Sequence, residues 1–299
     1  MRIGITGATG FIGGAVCRLA ADQAHHIIAY TRRPGQTVAH ATESLLLPAS
    51  APHALPETRL DALVHLAGES LMGIWTPAKR ERIRKSRVDL TRALVARLAE
   101  WNVENRPKVL VCASGIGFYG DRGDEILDEA SPRGAGFLAE LCEQWEAAAR
   151  EAEALGIRVV NARSGMVLGA NGGAYPMLRR IFRWGLGGRL GSGRQWLSWI
   201  HIKDEAGLLL WAVATEAARG PLNLCAPNPV TNADFTRALA GSLNRPAFMH
   251  VPAFKLRLLL RQMADEMLLC SQRAVPRAAT ELGYHFIHPS LDSALAALE

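Results

Sequence analysis

The sequence predicts an α/β protein built on a doubly wound parallel sheet, with a smaller and mainly helical C-terminal lobe. Three observations carry that expectation. The chain opens "RIGITGATGFIGG", a β-branched run that breaks at glycines and continues with helical periodicity. Apolar runs of strand length then alternate with amphipathic stretches as far as Gly169, after which come glycine- and arginine-rich loops, one more strand and a helical tail. At 299 residues, 49% of them hydrophobic, the chain can bury a large core. We expect an N-terminal domain over 1–226, carrying loops over 170–200, and a C-terminal lobe over 227–299.

"RIGIT" reads as the first strand, and "FIGGAVCRLAADQ" puts Ile12, Ala15, Val16 and Leu19 on one helical face. "HIIAYT" (His26 to Thr31) is the second strand, so the first forty or so residues make a right-handed parallel βαβ unit. From Pro34 to Leu60 only "SLLLP" resembles a strand, which makes this crossover short and irregular. "ALVHLAGES" follows as a buried strand. Thr76 and Pro77 then supply an N-cap and a first-turn proline for a long helix running through "RVDLTRALVARLAEW". "KVLVCASG" is another strand, "GFLAELCEQWEAAAREAEALG" a helix stopped by Gly156, and "IRVVNARSGMVLG" a strand leaving toward glycines. A helix from about Lys203 to Ala217, the strand "PLNLCAP" and further helices complete the chain.

Composition excludes several classes. No run of eighteen apolar residues exists, and the start lacks the apolar core of a signal peptide, so a cytoplasmic protein with no membrane partner is expected. The five cysteines lie in apolar contexts without C-x-x-C spacing, and the nine histidines show no metal-binding spacing, so we expect reduced thiols and no metal. A net charge of +6 without basic stripes interleaved with aromatics argues against nucleic acid. A homodimer stays open.

The glycines of the first turn sit where a strand ends and a helix begins, the context in which such spacing marks a dinucleotide site. Gly7 suits a tight turn, Gly10 lets backbone approach a pyrophosphate, and Gly13 allows close helix–strand packing. The helix N-terminus adds unpaired N–H groups and a positive dipole end. At the end of the second strand, "AYTRRPG" holds no carboxylate for a ribose 2′-hydroxyl, whereas Arg32 and Arg33, beside Thr31, offer donors for a 2′-phosphate. The cofactor expected is NADP, with Arg32 the direct contact.

These segments resemble the extended short-chain dehydrogenase/reductase superfamily, specifically its NAD(P)-dependent epimerase/dehydratase family, which has a Rossmann-like sheet. Thr6-Gly7-Ala8-Thr9-Gly10-Phe11-Ile12-Gly13 resembles the family's dinucleotide fingerprint, and "HLAGE", "SGIGFYG", "RSGMVLG" and "WIHIKDEA" resemble its later motifs. "GLGG", "GSGRQWLSWIHIKDEA", "NADF" and "QRAVPRAATELGYHF" are similar to a sugar-nucleotide-epimerase-like subfamily with a C-terminal domain of unknown function. The resemblance implies that Leu66, Ala67 and Gly68 line the cofactor, that Arg87 reaches toward it and that Val167 sits near the nicotinamide. Read by themselves, Leu66 and Ala67 are equally ordinary strand residues and Arg87 an ordinary helix residue.

The superfamily's usual chemistry uses a Ser or Thr with a Tyr and, four residues later, a Lys. Here the usual hydroxyl position falls on Gly115, one residue after Ser114, and Phe137 and Leu141 stand where Tyr and Lys belong. Neither can exchange a proton or perturb a pKa, so standard sugar C4 oxidation is not supported. Ser114 and Tyr119 are the catalytic candidates, Ser114 also as a cofactor contact, with Glu69 and Asp121 weaker. Arg179, Arg180, Arg183, Arg189 and Arg194, broken by "GLGG" and "GSG", suit an anionic ligand such as a nucleotide sugar, or serve as surface arginines. Trp196 and Trp199 suit pocket walls or core. Two readings follow: an NADP(H)-dependent epimerase/dehydratase-like oxidoreductase, or a catalytically inactive NADP(H)-binding regulatory protein that signals cofactor state to a partner.

Overall fold

The computed structural model describes residues 1–48 and 50–299. Seven strands form one sheet: β1 (Arg2–Thr6), β2 (His26–Thr31), β3 (Glu43–Leu46), β4 (Ala62–His65), β5 (Val109–Gly115), β6 (Arg158–Ser164) and β7 (Gly220–Leu224). Their order is β7-β6-β5-β4-β1-β2-β3, and every neighbouring pair is parallel. Strands of such a sheet are buried on both faces, which explains why the middles of β1, β2, β4 and β5 read as apolar without alternation.

The helices are α1 (Phe11–Asp22), α2 (Pro77–Arg84), α3 (Leu90–Ala99), α4 (Phe137–Arg150), α5 (Tyr175–Arg183), α6 (Ile202–Ala214), α7 (Asn232–Ser242), α8 (Ala253–Leu260), α9 (Arg277–Glu281) and α10 (Leu291–Ala296). One face of the sheet packs Ile3, Ile5, Val64 and Val111 against Val16 of α1 and Leu208 and Leu209 of α6. The other packs Leu63, Leu110 and Val159 against Ile83 of α2, Leu94 and Leu98 of α3, and Trp145 of α4. A third core joins Leu168, Tyr175, Phe182 and Trp199 to Phe235 and Leu239 of α7 and Leu291 and Leu295 of α10. This core therefore draws on residues from both sides of α6.

Local chemistry accounts for the element ends. Thr76 caps α2 by accepting from the Lys79 N–H at 3.2 Å, with Pro77 in the first turn, and Gly156 closes the α4 segment with φ 77°. Two expectations change in detail. The long helix runs from α2 to α3 through a π-helical turn at Lys85–Asp89. "IRVVNARSGMVLG" divides at Gly165: β6 stays in the central sheet, while Met166–Gly169 joins Trp199–His201 and Gly172–Gly173 in a small separate sheet. A Cβ at Gly165 would lie 2.6 Å from the Ser198 carbonyl oxygen, so only glycine lets the chain pass there.

Candidate cofactor and active site

The strand order reverses between β1 and β4, and in open α/β sheets the crevice beyond the carboxyl ends at that point receives the ligand. Gly7 follows β1 and Leu66 follows β4, side by side. A Cβ on Gly7 would lie 2.8 Å from the Leu66 carbonyl carbon and 2.9 Å from the Ala67 nitrogen, and Gly7 has φ 72°. Any side chain there would part the two loops. Gly13 packs on the turn from the helix side, where a Cβ would collide with the Gly7 carbonyl oxygen and lie 2.8 Å from the Ala8 Cα.

These contacts leave the start of α1 uncovered on its outer side. Gly10 precedes the helix, donating its N–H to the Gly7 carbonyl at 2.9 Å, and Thr9 and Gly10 are exposed. No side chain caps α1 and no carboxylate lies in its first turn, so the N–H groups of Phe11, Ile12 and Gly13 keep their donors and the positive end of the helix for an anion. The Phe11 ring turns away into a slot of glycines, where a Cβ on Gly169 would lie 2.5 Å from the ring Cζ and one on Gly172 2.5 Å from its Cγ. Phe11 thus pins the cradle to the small sheet that carries Val167, paired there with Ile200.

Arg32 and Arg33 leave β2 exposed, and among the described residues neither guanidinium has an ion-pair partner. Thr31 shapes this corner: its hydroxyl accepts from the Arg33 N–H and donates to Gln36 Oε1, both at 3.2 Å. Beside β1 in the sheet, β2 brings these free cations next to the α1 cradle.

Arg87 arrives from the π-helical turn, with its guanidinium packed on Gly68, where a Cβ would stand 3.2 Å from Cζ, and over the Trp145 ring at 5.2 Å. Its Nη1 donates to the Glu69 carbonyl at 2.9 Å. Burial pulls its pKa below the ordinary arginine value, and among the described residues no carboxylate pairs with it. Aromatic contact sustains the half-buried cation, and donors remain for a ligand at the β4 exit.

Ser114 and Tyr119 belong to one buried network. Ser114 donates to Glu146 Oε1 at 2.7 Å, and Arg163 grips both Glu146 oxygens at 2.7 and 2.8 Å. Arg163 also donates to the Tyr119 hydroxyl at 3.0 Å, and Tyr119 donates to Asn223 Oδ1 at 2.7 Å. Asn223 continues to the lobe by donating to the Val275 carbonyl at 3.0 Å. Tyr119, expected to face the ligand, is 0% exposed, and burial pushes its pKa up to about 12. Its proton is committed to Asn223, which gives it a positioning place in the network.

Glu69 binds Lys79 Nζ at 2.7 Å, a bond that holds its carboxyl below the usual range. Asp121 Oδ1 accepts from the Ser271 and Gly123 N–H groups and shapes its loop. The five arginines after Gly169 spread out: Arg179 pairs with Glu299, Arg180 lies against Trp184, Arg189 folds over Gly193, and Arg183 and Arg194 are exposed. Trp199 is core, while Trp196 donates to Asp124 at 2.8 Å beneath Arg273.

Two residues take roles that sequence reasoning did not assign. Glu266, from the lobe, accepts from the Phe137 and Leu138 N–H groups at 3.0 and 2.7 Å and so caps α4 across the chain. It borders a crevice of about 200 Å³ between the turn after β5 and the lobe, lined also by Gly117, Leu138, Arg257 and Gln272. Asp204, within "WIHIKDEA", is fully buried and accepts from the Ile287 and His288 N–H groups at 2.7 and 2.9 Å, tying the tail to α6. Partners more than eighty residues away leave no local signal in sequence.

Residues 3–225 match the NAD dependent epimerase/dehydratase family. The chain belongs to this family. Residues 251–298 of this epimerase-family chain match a domain of unknown function, DUF1731. An epimerase family protein of Mycobacterium leprae is 39% identical over 296 residues, spanning 98% of this chain and 94% of its own length. The human epimerase family protein SDR39U1, solved with NADPH, superposes with a TM-score of 0.90 at 34% identity, over 100% of this chain and 99% of that one. A nucleoside-diphosphate sugar epimerase of Corynebacterium glutamicum gives 0.78 at 35% identity, over 99% of this chain but 57% of that one.

Proposed function

We propose that the chain binds NADP(H) and acts as an epimerase/dehydratase-like oxidoreductase on a small anionic substrate such as a nucleotide sugar. The observation that carries the reading is the pairing of an uncapped α1 N-terminus, sealed by Gly7 and Gly13, with the unpaired Arg32 and Arg33 beside it. The empty-handed donors of the first turn suit the diphosphate, and the two guanidinium groups suit a 2′-phosphate that a carboxylate would repel. The human relative solved with NADPH supports this choice.

A bound nicotinamide would supply hydride transfer, and Leu66, Ala67, Gly68, Arg87, Ser114 and Val167 would line its side of the crevice. With Phe137 and Leu141 on α4, the usual tyrosine and lysine are absent. Ser114 donates its hydroxyl hydrogen bond to Glu146, so its oxygen presents lone pairs to a ligand, while Arg87 presents donors and positive charge. Ser114 would accept from a substrate hydroxyl and orient it, and Arg87 would supply the donors that stabilise negative charge developing on a substrate oxygen. The network that fixes Ser114 reaches the lobe through Tyr119 and Asn223.

That link favours a second reading, in which catalysis is lost and cofactor occupancy sets the lobe for a partner protein. Calorimetric titration with NADPH and NADH tests the cofactor, and tighter NADH binding would overturn it. Single-turnover mixing of the NADPH complex with nucleotide sugars and small carbonyl compounds separates the two readings. Oxidation that Ser114→Ala abolishes supports the enzyme; a bound but never oxidised cofactor supports the regulator.

A further inference from the structure

Two stretches carry no carboxylate: residues 171–203, which lead into α6, and residues 235–264 of the lobe. They lie against each other, because Gly188–Leu190 pairs in parallel with Met249–Val251, and α8 begins beside Gly191, where a Cβ would meet that of Ala253 at 3.7 Å. Large apolar side chains stand in water along this face. Trp184 is 69% exposed, Phe248 77% and Leu258 79%, with Leu186, Phe254 and Leu259 also exposed. On α8, Leu256 and Leu260 turn inward while Phe254 and Leu258, one helical turn apart, turn outward.

The charges around these side chains have one sign. Arg180, Arg183, Arg189, Arg194, Arg245, Lys255 and Arg261 have no ion-pair partner among the described residues, whereas Arg179, Arg237 and Arg257 are matched by carboxylates from outside the two stretches. Exposed Trp, Phe and Leu interleaved with unpaired Arg and Lys fit a surface that is apolar beneath an anionic layer. A second copy docking through the same face would set like charges against like. Among the described residues no helix is long and apolar enough to cross a membrane, and this face departs from the sequence expectation of no membrane partner by suiting contact at a bilayer surface.

We propose that this face of the lobe docks on the surface of an anionic lipid bilayer, with Phe254, Leu258 and Leu259 entering the headgroup region and the free arginines holding lipid phosphates. The inference is independent of the cofactor assignment. Co-sedimentation with phosphatidylcholine vesicles, with and without phosphatidylglycerol, tests it. We expect the full chain to pellet only with the phosphatidylglycerol vesicles, to be released by salt, and to lose at least about tenfold in partitioning in a Leu258→Glu, Leu259→Glu double variant. Arg183→Ala with Arg261→Ala should weaken binding to the same vesicles and leave the circular dichroism spectrum unchanged. Wild-type protein that stays in the supernatant, or equal pelleting of the double variant, would overturn the proposal. So would a dimer in solution that the same leucine substitutions dissociate, or vesicle binding that double-stranded DNA mimics with tighter affinity.

Discussion

Arg163 and Glu146 form a two-point ion pair inside the protein, with Nε to Oε1 at 2.7 Å and Nη2 to Oε2 at 2.8 Å. The pair joins β6 to α4 and holds Ser114 on one side and Tyr119 on the other. Removing one partner strands the other charge away from water. We expect Arg163→Ala to cost about 3–5 kcal/mol in urea unfolding, and an Arg163→Met, Glu146→Leu double variant to recover much of that loss. If the double variant is as unstable as the single one, the pair is not what stabilises this junction.

The cradle depends on hydrogen at Gly13, and its neighbour is a natural control. A Cβ at Gly14 would meet nothing nearer than the Ala8 carbonyl oxygen at 3.9 Å. Gly14→Ala should be neutral or stabilising by up to about 1 kcal/mol, because alanine is the better helix former. Gly13→Ala must push α1 off the first turn, and thermal denaturation with NADPH present should show a lower Tm and no ligand-induced rise.

Arg32 and Arg33 lie free at the end of β2. Arg32→Ala should weaken NADPH about ten- to a hundredfold, the worth of one or two charge-assisted hydrogen bonds, and change NADH affinity little. Fluorescence titration of both reduced cofactors measures the ratio. An equal loss for both would mean that Arg32 meets something other than a 2′-phosphate.

Glu205 is buried beside Ser164, which donates to its Oε1 at 2.6 Å, while among the described residues its Oε2 has no partner. Burial raises its pKa from 4.5 to about 8. Between those two values the folded chain keeps a proton that the unfolded chain has released, so stability falls as pH rises across the window. One unit of displacement corresponds to about 1.4 kcal/mol. Glu205→Gln should flatten this slope and gain on the wild type with rising pH in urea midpoints. Parallel curves would show that Glu205 titrates normally.

Glu266 spans from the lobe to the N-terminus of α4. Glu266→Ala should cost about 0.5–2 kcal/mol, the range for losing a helix cap, and speed amide exchange at Phe137 and Leu138. Exchange confined to the lobe residues, with the α4 amides unchanged, would rule out the cap.

The α/β class, the succession of central strands and the glycine turn were legible in the sequence, because strand burial, helical periodicity and the steric freedom of glycine are properties of neighbouring residues. The apolar runs of β1, β2, β4 and β5 and the N-cap at Thr76 needed no partner to be legible. The folded chain alone shows that Tyr119 is buried, since its partners Asn223 and Arg163 come from β7 and β6, far away in sequence. It likewise assigned the Arg179 side chain to Glu299, the Glu266 carboxylate to α4 and the Asp204 carboxylate to the tail. Hydrogen bonds between residues far apart in the chain are chosen by packing, and packing is settled by the whole fold at once.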